Sequence, residues 1–587
     1  MREYFSPGIR SAQLDRKDRL LMWLLTAVYL VFALINLGTL RFPQNVWSAE
    51  AGGSGIIDLG GEHFVTSIWI NANIGTGQLQ FSDDSGNIYT YDQSYGEMFC
   101  WRPKSVDFCT RYIRLAVNAG QVSINEIAFF NENKELLPAA AVSGKESALV
   151  DEQSTVPETP TYYNGMYFDE IYHARTAYEF LHCMSVYEWT HPPLGKIIIA
   201  AGILLFGMTP FGWRVMPALF GALMLPVMFT LGKRLFRRRD FAFLSAALLS
   251  VDTMHFAQTR IATVDVFVVF FILLMYLFMA DYIRADSAAE PLKKAYIPLG
   301  ACGVSFGLGV AAKWTGLYAG AGLAVIFFTY LIRGFIRAKK EGATRRFWGR
   351  TWITILFCCA FFLLIPSAIY FVSYTPFYRY ELSRRIWSEA LTFKEKLEIL
   401  VTQQKSMYSY HSGLTATHLC QSAWYEWPFA AKSVWFYYAS DADRMSNIST
   451  FGNPAVWWVS AVGTIWLIIE AVCGRMKKEQ RESRTAMWLL FAAVAANFLP
   501  WTLVPRCTFQ YHYFPTLPFV ILCALLLLAH LEEQGEIKPG AKWIWLAVSA
   551  VFFALLLPAC SGIPMPLTYA RFLEYVLPGG LLFHGVV

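Results

Sequence analysis

The chain has 587 residues, with 49 Lys and Arg against 43 Asp and Glu, for a net charge of +6. Charged residues are only 16% of the chain and apolar residues 55%, with a mean hydropathy of +0.37, whereas soluble domains carry roughly 25% charge. This excludes an ordinary soluble enzyme and a disordered chain, and basic residues clustered between apolar runs argue against a nucleic-acid binder.

In chain order, residues 1–40 combine a basic start (Arg16, Lys17, Arg19) with an apolar run at 20–40 that lacks a cleavage pattern, so it reads as an uncleaved anchor. Residues 41–137 shift to Gly, Asn, Asp and period-two alternation, which predicts strands at 64–70, 78–81, 111–115 and 122–130. Gly60-Gly61, 83–86 and 118–120 read as the turns between them. Ser82-Asp83-Asp84 and the strands at 111–115 and 124–127 resemble discoidin-like jelly rolls, which often bind carbohydrate. A packing module without a ligand is the equal alternative. Cys100 and Cys109 are the pair this insert offers for a disulfide outside the cell. The other cysteines show no metal-ligand spacing.

Residues 138–160, rich in Ala, Ser, Glu, Thr and Pro, read as a linker. Segment 161–212 then carries the first candidate chemistry. Asp169 and Glu170 open an amphipathic helical pattern, as a general base with its neighbour or as helix-capping acids. His191 precedes two prolines and a short apolar run at 194–208, and is either a site residue or a structural hydrogen-bonder.

Residues 213–373 hold apolar runs at 213–236, 241–256, 264–282, 296–312, 315–332 and 351–373. Between them lie Asp252, Gln258, Arg260 and Asp265, where ionisable groups at membrane depth favour a functional reading. Arg260 suits either an ion pair or an anionic substrate, and Lys313 either a site or snorkelling. A second long loop, 374–453, precedes runs at 454–473, 486–503, 511–530 and 543–559, with Arg506 ahead of the third.

Lys and Arg favour cytoplasmic loops. The clusters at 16–19, 233–239, 333–350 and 475–484 fall on one side only if 194–208 does not cross. That parity gives eleven spans, a cytoplasmic N-terminus, and 41–193 and 374–453 outside. No Walker loop, dinucleotide fingerprint, HExxH or serine elbow is present. A lipid-phosphate donor fits, since its leaving group gains charge that Arg stabilises.

Phe168-Asp169-Glu170, His191-Pro-Pro-Leu-Gly-Lys196, Gln258-Thr-Arg260 with Asp265, and Lys313-Trp-Thr-Gly316 resemble motifs of the dolichyl-phosphate-mannose–protein mannosyltransferase family. Gln403–Tyr408, His411–His418, Trp424–Pro428, Gly452–Trp458 and Arg506–Tyr513 extend the resemblance in family order. It implies a C-type glycosyltransferase membrane fold of about eleven helices, and metal-independent, inverting transfer of a hexose, typically mannose, from a polyprenyl phosphate, with no cofactor. By residue match Asp169 is the base, with Glu170 orienting substrate. Arg260, Arg506 and Lys313 are donor-phosphate contacts, and His191, Gln258, Asp265, His411 and His418 substrate contacts. The 374–453 loop is too short for the β-trefoil of eukaryotic members, and the β insert precedes Asp169 instead. This resembles a bacterial, plasma-membrane version with an undecaprenyl-type carrier and an acceptor polypeptide. A glycan or lipid acceptor, as in the related aminoarabinose transferases, and a transporter or carbohydrate sensor are the alternatives.

Overall fold

In a computed structural model the described residues are 12–144, 146–285, 292–385, 390–474 and 481–576. Arg475, Lys477 and Lys478, used in the parity argument, and the two chain ends lie outside the described residues. The chain divides into two compact units, one of residues 36–178 with 199–216, the other of 1–35, 179–198 and 217–587.

The first unit contains the β insert. Its strands are β1 (Trp47–Glu50), β2 (Ser54–Ala72), β3 (Gln78–Ser82), β4 (Ile88–Asp92), β5 (Trp101–Ala119), β6 (Gln121–Phe130) and β7 (Ala140–Ala141). They pair antiparallel in the order β1-β6-β2-β5-β3-β4, with β7 on β2. The long strands β2 and β5 run through both halves of this sheet. The start of β2 pairs with β7 and the end of β5, and its second half pairs with β6 and the start of β5. The register shift between Asp58 and His63 lies between those halves, with Gly60 at φ 78°. Gly60-Gly61 is therefore a bulge inside β2, not the turn expected, as a glycine within a strand often marks. The other two turns form where read, with Gly86 at φ 86° and Gly120 at φ 65°. Alternate side chains such as Leu79, Phe81, Ile113, Leu115 and Val117 fill the core.

Two expectations fail here. Cys100 and Cys109 are free: Cys100 abuts the start of β5 and Cys109 lies within it. Nine residues of extended chain separate them by about 30 Å, far beyond the reach of a disulfide. Residues 138–160 are not a bare linker, since β7 joins the sheet and Leu149 and Val150 are buried in its core.

In the second unit and the helix entering it, nine helices among the described residues are long and apolar enough to span a membrane. They are Pro210–Phe236, Asp265–Ala285, Lys293–Ala312, Thr315–Lys340, Thr344–Ser383, Pro454–Val472, Arg484–Leu503, Leu517–Gln534 and Ala541–Ser561. Each matches an expected run. The two remaining runs fall short for visible reasons. Helix Arg16–Leu34 opens with four charged residues and ends where Ile35 turns extended. The run at 241–256 is broken, because helix Arg239–Ser250 stops and Asp252 caps a new helix, Thr253–Gln258, accepting from the His255 N–H at 2.9 Å. Twelve residues make only about 18 Å of helix, against a hydrocarbon core of about 30 Å. Helix Leu194–Phe206 is likewise too short to span. The chain is a multi-pass helical membrane protein with a sheet insert.

Candidate active site

In the first unit the chain approaches Asp169 through a short turn at Tyr162–Asn164, and Phe168 adopts φ 48° immediately before helix Glu170–Leu181. The Asp169 carbonyl accepts the N–H groups of Tyr172 and His173, each at 3.0 Å, so Asp169 stands half-buried at the helix start. Glu170 is fully buried. Its carboxylate takes Arg214 Nε and Nη2, each at 2.7 Å, Trp213 Nε1 at 3.1 Å and the Tyr167 N–H at 3.3 Å. Arg214 spends its remaining donors on the carbonyls of Leu37, Tyr162 and Gly165 at 2.7–2.9 Å. All five guanidinium N–H groups are then used. Glu170 is thus an anchor that ties the turn before Asp169 to the start of helix Pro210–Phe236. Both of its oxygens are held by protein donors, Oε1 by Arg214 and Oε2 by Arg214, Trp213 and the Tyr167 N–H.

In the second unit Arg260 donates to the carbonyls of Ala33 at 3.0 Å and Ile35 at 2.6 Å, with its guanidinium over the Phe256 ring. These bonds satisfy carbonyls left open at the end of helix Arg16–Leu34, a scaffold use of a residue expected at the phosphate. Asp252 is spent on Asn453 N–H and Trp457 Nε1. Lys313 and Asp265, both buried, form an ion pair at 2.7 Å. Gln258 is 1% exposed, and its Oε1 has no hydrogen-bond partner among the described residues.

His191 binds Glu188 at 3.0 Å, and the same carboxylate holds the buried Lys196. His411, on helix Phe393–Gly413, bonds the Thr190 carbonyl through Nε2 at 2.8 Å, and its ring lies 5.6 Å from that of His191. With Nε2 donating, the neutral ring keeps Nδ1 as an acceptor, and this atom is buried without a partner among the described residues. Burial, with the charges of Lys313 and Arg506 acting the same way, pushes His411 down to about 4 and His512 to about 3. Burial lowers His191 as well. At neutral pH these rings carry no charge. Lys313 is balanced by Asp265 and Lys196 by Glu188. Arg506, half-buried, makes no hydrogen bond or ion pair among the described residues, so its charge stands uncompensated in this cluster. His418 lies apart in role: it is exposed, and its Nδ1 accepts from the Cys420 N–H as a local turn contact.

One acidic group, Glu126, Asp151 and Glu152, gathers carboxylate oxygens within 4.8 Å. Protein N–H groups already hold them: Glu126 accepts from Glu152 N and Gln153, Asp151 from Asn45, and Glu152 from Gln44 N and Asn45 N. Burial raises Glu126 from 4.5 to about 8. A carboxyl raised in the native state adds stability that is fully present below the unfolded value and lost as pH climbs through the folded one. Glu126→Gln is therefore expected to flatten the loss of thermal stability between about pH 5 and about pH 9, read by unfolding scans at both ends. An unchanged pH slope would mean that Glu126 is ionised throughout.

The family profile for Dolichyl-phosphate-mannose-protein mannosyltransferase matches residues 204–378, and that for the C-terminal four TMM region of protein-O-mannosyltransferase matches 396–575. Together they cover more than half of the chain. The chain belongs to the protein O-mannosyltransferase family. Among protein O-mannosyltransferase relatives, the polyprenol-phosphate-mannose–protein mannosyltransferase of Mycolicibacterium smegmatis is 26% identical over 464 residues, covering 70% of this chain and 87% of that one. The Corynebacterium glutamicum protein of the same name is 25% identical over 423 residues, covering 63% and 78%. The fold resembles a chain of the S. cerevisiae protein O-mannosyltransferase Pmt1-Pmt2 complex bound to the sugar donor, with a TM-score of 0.60 at 15% identity, covering 70% of this chain and 89% of that one.

Gln258, Arg260, Asp265 and Lys313 fall in the first protein O-mannosyltransferase match, and His411, His418 and Arg506 in the second. Asp169, Glu170, His191 and the β insert precede both. Arg214 and Glu188 were not singled out in the sequence, and His512 entered only as part of the Arg506–Tyr513 motif, without a role of its own. A charged residue near the start of an apolar helix was the available signal for Arg214.

Proposed function

We propose that this chain transfers a hexose, mannose in the first instance, from a polyprenyl-phosphate carrier to Ser or Thr hydroxyls of secreted or membrane polypeptides. Transfer takes place with inversion, at the extracytoplasmic face of a bacterial plasma membrane. Family membership, the names of the mycobacterial and corynebacterial relatives and the one-sided basic clusters support the reading. The observation that carries it is the uncompensated Arg506 within a cluster whose histidines are neutral and whose other cations are paired. Such a site attracts one anionic group in a low-dielectric setting.

In this scheme Asp169 accepts the proton of the acceptor hydroxyl as its oxygen bonds to the anomeric carbon. The bond from that carbon to the phosphate oxygen breaks, and the carrier leaves as a phosphate monoester with one more negative charge than the diester had. Arg506 stabilises that added charge, and Lys313 contributes to it from its ion pair with Asp265. Gln258 and His411 offer unspent acceptor atoms, Oε1 and Nδ1, to sugar or acceptor hydroxyls.

The test is transfer from radiolabelled mannosyl polyprenyl phosphate by the full-length protein in membranes, with a Ser/Thr-rich peptide as acceptor and products resolved into peptide, lipid and glycan fractions. Wild type should label peptide. Arg506→Ala should lower kcat/KM for the donor by about 10²–10³, the usual cost of losing one preorganised charge contact. Label only in lipid or glycan would replace the acceptor, and donor kinetics indifferent to Arg506→Ala would remove that residue from the site.

A further inference from the structure

An open groove of about 810 Å³ lies in the second unit between Trp189 and the end of helix Phe393–Gly413. Trp189, Lys405, Ser409 and Tyr410 line it, together with residues 413–416. Its aromatic wall continues directly into the histidine cluster. The Trp189 and Tyr410 rings are 5.8 Å apart and edge-on, and Tyr410 lies 5.4 Å from His411.

The chain that forms its rim has unspent backbone. Leu414 leaves the helix at φ −71°, ψ 111°, and residues 414–418 are neither helix nor strand. Among the described residues, no N–H or C=O of Thr415, Ala416 or Thr417 is hydrogen-bonded, and all three residues are exposed. A run of free peptide groups beside an aromatic wall is what an extended peptide needs in order to add itself as a neighbouring strand. Main-chain pairing of this kind is tolerant of sequence, and the wall then holds the side chain that faces it. The lining contains hydroxyls, an ammonium and aromatic rings, and no carboxylate.

We infer that this groove seats the acceptor polypeptide in extended form, pairing its backbone with residues 415–417 and leading one hydroxyl toward the His191–His411 rings. The inference rests on the protein-acceptor reading above and extends it with the surface that holds the acceptor.

The test uses the full-length protein in nanodiscs, mannosyl polyprenyl phosphate as donor and a Thr-rich peptide as acceptor. Ala416→Pro removes one free N–H from an exposed, non-helical position, and Ser409→Trp fills the groove from the helix side. Each should raise the peptide KM about tenfold while the donor KM and kcat stay within about twofold. A peptide N-methylated around its Thr should lose a similar factor with wild type, and lose little more with Ala416→Pro, because the two changes remove the same pairing. Peptide KM values unchanged in both variants, with wild type active on peptide, would overturn the groove alone. No wild-type transfer to peptide would overturn the protein-acceptor reading and the groove with it.

Discussion

Asp169→Asn should lower sugar transfer by about 10²–10⁴ while the protein stays folded and continues to bind donor, which is the range for loss of a positioned general base. The substitution keeps the shape and the helix-start geometry, since the Asp169 carbonyl that accepts from Tyr172 and His173 is untouched. Asparagine also remains a good residue at a helix start. What disappears is the only feature that separates a base from a cap, the capacity to take a proton. Single-turnover transfer with saturating donor, read beside a thermal unfolding scan, separates the two roles. Near-normal transfer would leave Asp169 as a helix-capping acid and nothing more.

The neighbouring carboxylate should behave in the opposite way. Arg214→Ala is expected to destabilise the protein by about 3–5 kcal/mol, because it strands the fully buried Glu170 without its cation. The carbonyls of Leu37, Tyr162 and Gly165 lose their donor in the same step, and each unsatisfied buried group adds to the cost. Glu170→Gln should destabilise by the same mechanism with the charge reversed, leaving a buried guanidinium unpaired. The double change Arg214→Met with Glu170→Leu should recover part of the loss, since it removes both charges, but not all of it, since the three carbonyls stay unsatisfied. Unfolding midpoints of the four proteins in detergent would show this pattern. A wild-type midpoint for Arg214→Ala would mean that the pair holds nothing. Together the two experiments separate chemistry from support at adjacent positions: Asp169→Asn alters rate without stability, and Arg214→Ala alters stability first.

Much of the molecule was legible in the linear chain because its signals are local. An apolar run of about 20 residues announces a helix that crosses a membrane wherever the chain later goes, and nine of the eleven runs form such helices. Period-two alternation likewise placed the strands around Phe64–Ile70 and Val122–Phe130, since which face of a strand is apolar depends only on neighbours two residues away. The two runs that fell short carried their own local warnings: four charges at the head of one, and an N-capping Asp252 inside the other.

The rest depended on pairings between residues far apart in the chain. Asp169 and Glu170 look equivalent in sequence, and only Arg214, brought from 44 residues away, distinguishes them. Cys100 and Cys109 looked like a disulfide until β5 placed them at opposite ends of one extended stretch. Arg260 has the chemistry for phosphate, yet two of its donors go to carbonyls more than 200 residues earlier. By itself the sequence determined the class of fold, the family motifs and the residue types able to do the chemistry, because those rest on composition and short-range periodicity. Only the tertiary structure decided which of those charged groups are spent on holding the protein together, because a buried donor or acceptor must find its partner wherever packing brings one.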